Sequence, residues 1–246
     1  MKAWVICTKE LRSYFQSYVA FVLLTVFVVL TSYFFYSDLI FFILLGGFVL
    51  PTGLWQYVFL DLRLVTLLIL PLVTMRLFAE EKKLGTIELL WTYPVRDVEI
   101  VVGKFLASWI FFLVMLLPTL ASPILFYRFY AFDIPPLVAA YLGLLLLGTS
   151  FLACGMFVSS LTENQVVSAM VTYGILVFFW FMTWNEEVAN RELMAWLLRF
   201  SLFDRFFNFA RGVIDTKDVV FFLAFSGLFF ALTVLSLGTR KWRGVS

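Results

Sequence analysis

The charged side chains of this 246-residue chain concentrate in one short stretch instead of forming a catalytic constellation. Residues 75–90 read MRLFAEEKKLGTIELL and lie between two long apolar runs. An acidic pair, Glu80 and Glu81, is followed at once by a basic pair, Lys82 and Lys83. Charges in this pattern can pair with complementary charges on a partner, so the chemistry they offer is docking at a membrane surface.

The remaining composition removes most catalytic chemistries. The chain has no histidine, which excludes Ser–His and Cys–His catalysis, histidine-ligated metals and haem. It also lacks a phosphate loop of the type G-x-x-x-x-G-K-[ST]. Cys7 and Cys154 lie far apart and outside any metal-type spacing, so we interpret them as free thiols. We therefore expect no catalytic residue, metal or cofactor in this chain, and an intramembrane enzyme is the least favoured hypothesis.

The apolar segments on either side of residues 75–90 are predicted to be membrane helices. Hydrophobic residues make up 63% of the chain and charged residues 14%, against about 25% charged in an average soluble domain. Apolar runs such as residues 19–30 do not alternate as barrel strands would. The sequence therefore predicts an all-α polytopic membrane protein with a single domain, 1–246. The first apolar run is long enough to span and is expected to stay as an anchor. A net charge of +2 gives no broad basic surface for nucleic acid.

Six segments are predicted to cross the membrane. Five meet the length of about 20 apolar residues directly. They are 19–36, 105–127, 137–158, 166–184 and 219–237. Hydropathy alone would place the remaining span at 39–60, but only Ser37 and Asp38 would then reverse the chain. We interpret 39–55 as an interfacial or re-entrant segment on the outer side and predict the second span at 58–77.

Basic residues orient these spans. With the N-terminus inside, eleven lysines and arginines fall on inner segments and six on outer ones, as the positive-inside rule requires. Both termini are therefore expected to be cytoplasmic. The remaining arginine, Arg63, would lie with Asp61 near the outer end of the second span and reach the interface by snorkelling.

Three segments outside the spans are predicted to be surface elements. Residues 1–18 are amphipathic and would form an interfacial helix, with Trp4 at headgroup depth. Residues 75–104 form the inner loop, and residues 185–217 form an outer loop whose apolar side chains recur at a helical period. Within the third span, Pro118 and Pro123 predict a kink or, less simply, a flexible gate. Small residues of the fourth span predict close helix packing, led by Gly143, Gly148 and Gly155.

Within the inner loop, the residues predict two short helices separated by a turn. Residues 79–83, AEEKK, favour a helix that Gly85 can end or bend. Thr86 can cap a second helix over residues 87–91, which carries Glu88 and Leu89, by accepting a hydrogen bond from a free backbone amide. A solvated connector is the alternative, but a connector has no use for exposed apolar side chains, so we interpret the loop as a contact element.

The run AEEKKLGTIELLWTYPV, followed by VGKFLAS, resembles the inner loop of permease subunits of the type-2 ABC exporter family. The run CTKELRSYFQSYVAF is similar to the family's N-terminal interfacial helix, and SSLTENQVVSAM to its turn between the fourth and fifth spans. FNFARGVIDTKDVVFFL resembles its approach to the sixth span. The resemblance covers nearly the whole chain and is closest to permeases of gliding motility and of nitrous-oxide-reductase maturation.

The resemblance implies a membrane-spanning permease subunit of an exporter in the cell membrane. Such a subunit has no ATPase site of its own, dimerises with an identical or similar chain, and pairs with cytoplasmic ABC subunits that bind ATP and Mg. Carried over to this chain, the elements that couple it to those subunits comprise the inner loop, the interfacial helix and a smaller inner contact. Their residues are Glu80, Glu81, Lys82, Lys83, Gly85, Thr86, Glu88 and Leu89, then Lys9 and Glu10, then Glu163.

The resemblance leaves other functions open. Residues 191–212 are similar to the family's external gate, which leads to the alternative function. In that alternative the protein is a non-transporting, ATP-driven mechanical or scaffold component that acts on an envelope partner through the outer loop. The substrate does not follow from the sequence.

Overall fold

Ten α-helices and one short 3-10 helix make up the described secondary structure of the computed structural model, which describes residues 2–44, 53–86, 95–129, 132–181 and 201–240. No strand occurs among these residues. The helices are α1 (Lys2–Gln16), α2 (Tyr18–Leu44), α3 (Gly53–Thr74), α4 (Ala79–Lys83), α5 (Asp97–Leu116), α6 (Ala121–Tyr127), α7 (Ile134–Leu161), α8 (Gln165–Phe181), α9 (Leu202–Ala210) and α10 (Thr216–Arg240). The 3-10 helix, Leu117–Leu120, joins α5 to α6.

Five stretches of the described chain are long and apolar enough to cross a membrane. They are α2, Gly53–Lys83, Asp97–Tyr127, α7 and Thr216–Gly238. The described part of helix α8 is apolar and has 17 residues, fewer than the roughly 20 that a straight span needs. The all-helical fold with several membrane spans is therefore confirmed, whereas a sixth span at 166–184 stays a prediction and extends beyond the described residues.

The first span is longer than the sequence predicted. Helix α2 runs without interruption from Tyr18 to Leu44, and α3 begins at Gly53. The interpretation of 39–55 as a separate interfacial or re-entrant segment is therefore wrong at both ends, while residues 45–52 lie outside the described chain. Unlike proline, Ser37 and Asp38 each have a backbone N–H, and neither has the conformational freedom of glycine. The helical hydrogen bonds therefore continue past both residues.

Helix α7 lies at the centre of the bundle and contacts α3, α5, α8, α9 and α10. Three glycines let its neighbours approach closely, because a Cβ added at Gly143, Gly148 or Gly155 would overlap a side chain of another helix. The overlapped side chains are, in that order, Phe209, Phe112 and Thr74. The prediction that small residues of the fourth span serve packing is confirmed.

The third span is interrupted where the prolines predicted a break. The α-helix is regular as far as Leu116, and Pro118 then lies in the 3-10 segment that leads into α6. Proline has no N–H to donate to the carbonyl four residues earlier, which favours this change of helix type. Pro123 follows inside α6 and is buried. The predicted structural break is confirmed, and a role of either proline in gating stays a prediction.

The described part of the outer loop forms the amphipathic helix α9. Ser201 caps it by accepting a hydrogen bond from the Asp204 amide at 3.2 Å. Its buried face comprises Leu202, Phe203, Phe206, Phe209 and Ala210. The predicted helical period of apolar residues is confirmed for this part of the loop, and residues 182–200 lie outside the described chain.

We expect Gly148→Ala to lower the free energy of unfolding by about 1–3 kcal/mol, because the added methyl group overlaps the Phe112 ring in a packed interface. Thermal unfolding of the detergent-solubilised protein measures the loss. Gly227→Ala is the matched control, since a Cβ at that glycine meets no atom within 4 Å. Equal unfolding temperatures for the two variants would contradict the packing role of Gly148.

Candidate functional site

The N-terminal helix α1 is held tightly against α5. A Cβ added at Gly103 would lie 2.8 Å from the Ile6 Cβ, so only glycine permits this approach. The Tyr14 ring stacks on Phe111 with centroids 5.0 Å apart, and its hydroxyl donates to the Val73 carbonyl at 3.2 Å. Burial raises the pKa of the Tyr14 phenol well above its usual range, so the group stays a hydrogen-bond donor. Helix α1 is thereby fixed to the second and third spans.

Lys104, the residue after this glycine, joins three helices through one buried ammonium group. Its side chain is 1% exposed, and its Nζ lies 2.9 Å from Glu10 Oε1 on α1 and 2.9 Å from Glu81 Oε1 on α4. The Nζ also lies 5.2 Å from the centre of the Phe78 ring. The second Glu81 oxygen is buried without a hydrogen-bond partner in the described chain. Breaking such a buried pair leaves an uncompensated charge, so the three groups depend on one another.

Ser159 of α7 fixes the beginning of α4. Its hydroxyl accepts hydrogen bonds from the amides of Phe78 and Ala79, both at 3.1 Å, and donates to the Met75 carbonyl at 3.0 Å. A hydroxyl group can donate one hydrogen bond and accept two, so its capacity is filled. The first amides of a helix have no partner within the helix, and here a serine of another helix supplies it.

Two further cations hold α4 in place. Lys82 is buried, and its ammonium donates to the Ser160 carbonyl near the end of α7. Arg76 connects the junction of α1 and α2 to α4, since its Nη1 donates to Ser17 Oγ at 3.1 Å and its Nε lies 3.5 Å from Glu80 Oε2. Helix α4 has only five residues, so these contacts rather than its own hydrogen bonds determine its orientation.

The free side of α4 faces outward. Lys83 is exposed, and the following Leu84 is 67% exposed. Gly85 ends the helix with φ +68°, a conformation that favours glycine, as predicted. The Thr86 hydroxyl donates to the Glu81 carbonyl at 3.3 Å and so lies against the end of α4. Its predicted role at the start of a second helix, together with Glu88 and Leu89, falls on residues 87–94, outside the described chain.

A groove of about 360 Å³, which we name the inner groove, separates α1 from α4. A second, open depression adjoins this groove and runs along the exposed side of α1. The two share Lys9, Ser13 and Ser17 in their linings and form one polar surface. The inner groove is lined by Lys9, Glu10, Ser13, Tyr14, Ser17, Arg76, Leu77, Glu80, Glu81, Leu84, Thr86 and Lys104.

The structure brings five of the sequence-predicted coupling residues to the lining of the groove, namely Lys9, Glu10, Glu80, Glu81 and Thr86. Glu10 and Glu81 also pair with Lys104, whereas Lys82 turns away from the groove toward the end of α7. Glu163 is exposed in the turn between α7 and α8, away from the groove lining. The binding role predicted for these residues is not tested by their positions.

Sequence reasoning missed Lys104 and Ser159 as parts of the site. Lys104 carries a detectable signal, because it is a charge that follows a glycine at the very start of an apolar run. Ser159 carries none, since its importance depends on which helix lies beside it. Cys7 and Cys154 are buried free thiols, as predicted. Among the described residues, no group of acidic or cysteine side chains could hold a metal ion.

Comparison with protein-family models matches residues 4–191 to a family described as ABC-2 family transporter protein. The match extends over more than half of the chain and includes α1, the inner groove and α7. A comparison with curated proteins finds no match.

We expect Lys104→Met to destabilise the protein by about 3–5 kcal/mol, because it leaves Glu10 and Glu81 buried without their cation. The midpoint of thermal unfolding in detergent measures the change. The triple variant that adds Glu10→Gln and Glu81→Gln removes the uncompensated charges and is expected to recover most of the loss. A single variant as stable as the wild-type protein would refute this role of Lys104.

Proposed function

Because the chain belongs to the ABC-2 family of transporter proteins, and so is a permease subunit of an ABC transporter, we propose that it exports its substrate with energy from ATP hydrolysed by separate subunits. The observation that carries the proposal is the buried Lys104, which joins α1, α4 and α5 directly beneath the exposed end of α4. A partner bound to that surface would therefore act on several membrane helices together.

The first connection from α4 into the membrane runs along the chain. Residues 75–78 link α3 to α4, and hydrogen bonds continue across this turn. The Met75 amide donates to the Pro71 carbonyl at 2.9 Å, and the Lys82 amide donates to the Phe78 carbonyl at 3.0 Å. A turn with these bonds is stiffer than a flexible linker, so displacement of α4 would be passed to the second span.

The second and third connections run between elements. Lys104 would carry a displacement of α4 to α5 and α1, and Ser159 would carry it to α7. Each connection consists of hydrogen-bonded or charged groups with short distances, which favour one arrangement over intermediate ones. Three membrane helices would thus respond as one body to a single surface contact, which is what coupling to an ATPase requires.

The exposed surface supports an ATP-binding subunit as the partner. Permeases of this family generally work with such subunits. Lys9 and Lys83 offer cations, Glu80 offers an anion, and Leu84 offers an apolar side chain that can enter a pocket. A mixed surface of this kind combines charge complementarity with a desolvated centre. In this proposal ATP and Mg are held by the partner, and this chain performs no catalysis.

We also propose an orientation and an assembly for the chain in the cell membrane. The inner groove and both termini are cytoplasmic, α1 lies at the inner interface, and two permease chains, identical or similar, form the pathway. Within the family, the runs of the inner loop support kinship with the permeases of gliding motility and nitrous-oxide-reductase maturation. The substrate is left open by this kinship.

We expect the double variant Lys83→Glu, Leu84→Asp to weaken binding of a co-expressed ABC ATP-binding subunit by about tenfold or more, because both exposed groups would meet an unfavourable partner surface. Co-purification and the ATPase activity of the reconstituted complex measure the effect. Neither side chain is buried, so the double variant is expected to lose partner binding without losing its fold.

Lys217→Glu is the matched control, since Lys217 is also exposed but is the second residue of α10, far along the chain from α4. This variant should keep both the partner and its ATPase activity. Full retention of the ATP-binding subunit by the Lys83, Leu84 double variant would remove the proposed docking surface.

A further inference from the structure

In the described chain three arginines, Arg63, Arg205 and Arg211, lie over aromatic rings in or beside α9, and the surroundings of the first two differ. Arg205 is fully used: its Cζ lies 4.1 Å from the centre of the Phe221 ring, and its Nη1 donates to Asp218 Oδ1 at 2.8 Å. The other Asp218 oxygen accepts from Asn208 Nδ2 at 2.9 Å. These groups tie α9 to α10, so Arg205 has a structural role that leaves little for a ligand.

Arg63 of α3 has the aromatic contacts without the ion pair. Its Cζ lies 4.9 Å from the centre of the Trp180 ring and 5.1 Å from that of Phe203. The two rings are themselves only 4.3 Å apart, so both lie on the same side of the guanidinium group. Its Nε is buried without a hydrogen-bond partner, and no carboxylate of the described chain forms an ion pair with it.

This arrangement keeps the charge of Arg63 while leaving its Nε donor without an acceptor. Aromatic rings stabilise a cation through their faces, whereas the donors of a guanidinium group lie in its plane. Charged side chains inside a membrane segment are normally paired, and a buried donor without an acceptor is costly. Two carboxylates act on Arg63 electrostatically, Asp204 on α9 and Asp61 on α3, but neither forms an ion pair with it in the described chain. Asp61 is two positions away and leaves the helix on nearly the opposite side, and Asp204 is exposed.

A second unused group lies on the same side of α3. Gln56 precedes Arg63 by seven residues, which is two helical turns, and therefore shares its face. The residue is 5% exposed, and its Oε1 is buried without a hydrogen-bond partner in the described chain. The Gln56 Oε1 is an acceptor without a donor, and the Arg63 Nε is a donor without an acceptor. The two residues lie on the same face of α3. Neither vacancy is expected in a surface that only packs, because buried polar groups are generally paired.

We propose that Arg63 and Gln56 form a binding site for the anionic head of an amphiphile. The in-plane donors of Arg63 would bind a phosphate or carboxylate oxygen, and Gln56 would accept a hydrogen bond from a hydroxyl or ammonium group on the same head. Trp180 and Phe203 supply an apolar wall for the body of the ligand. The partial burial of Arg63 leaves its side chain accessible to such a molecule. The site does not depend on the proposed export function.

Native mass spectrometry of the purified full chain with dodecyl phosphate tests the site. We expect about one molecule bound per chain, and binding weakened by about tenfold or more in Arg63→Gln, since hydrogen bonds to a charged group are lost. Arg63→Lys keeps the charge but not the fork of donors, and is expected to bind with intermediate affinity. Arg128→Gln, which removes an exposed arginine at the end of α6, should bind as the wild-type protein does.

A bilayer lipid and a free amphiphile share this chemistry, and competition separates them. If a lipid is the natural ligand, phosphatidylglycerol co-purifies with the wild-type chain, is lost in Arg63→Gln, and displaces dodecyl phosphate. If a free amphiphile is the ligand, phosphatidylglycerol leaves dodecyl phosphate binding unchanged. Equal binding of dodecyl phosphate by the wild type, Arg63→Lys and Arg63→Gln would overturn the proposal, and unfolding temperatures identify any variant that fails to fold.

Discussion

The ammonium group of Lys104 is the interaction on which the arrangement of α1, α4 and α5 depends. A buried charge loses its hydration and is tolerated only where other groups replace the water. Here Glu10 and Glu81 replace it, and each comes from a different helix. The electrostatic requirement of one side chain therefore becomes a geometric requirement on three elements. Glycine at position 103 completes the arrangement, because it lets α1 approach α5 closely beside this charge.

The sequence identified the helices and the inner loop, because both depend on local patterns. Runs of about 20 apolar residues, the glycine at position 85 and the small residues of α7 each have a physical consequence that neighbouring residues do not alter. The error in the first outer connection has the same origin. The first span was expected to end at residue 36, but neither Ser37 nor Asp38 stops the backbone hydrogen bonds, and the helix continues to Leu44.

The candidate site was less accessible to sequence reasoning, because facing directions depend on tertiary packing. Adjacent charges in Glu80, Glu81, Lys82 and Lys83 look equivalent in the sequence. In the structure the second and third turn inward, since Lys104 and the end of α7 lie beside them. The sequence also carries no sign that Arg63 would contact aromatic rings on α8 and α9, two helices that are remote in sequence, and its snorkelling stays a prediction.

The three glycines of α7 also limit how the bundle can deform. Gly143, Gly148 and Gly155 occur at separate heights, and each receives a side chain from a different helix. Because all three contacts are close, α7 can neither slide along its axis nor rotate about it unless the three side chains move away from the glycines. Among the described helices, α2 packs chiefly on α3, at a boundary without such notches. A displacement of the bundle would accordingly move α7, together with the helices whose side chains its glycines receive, as one block.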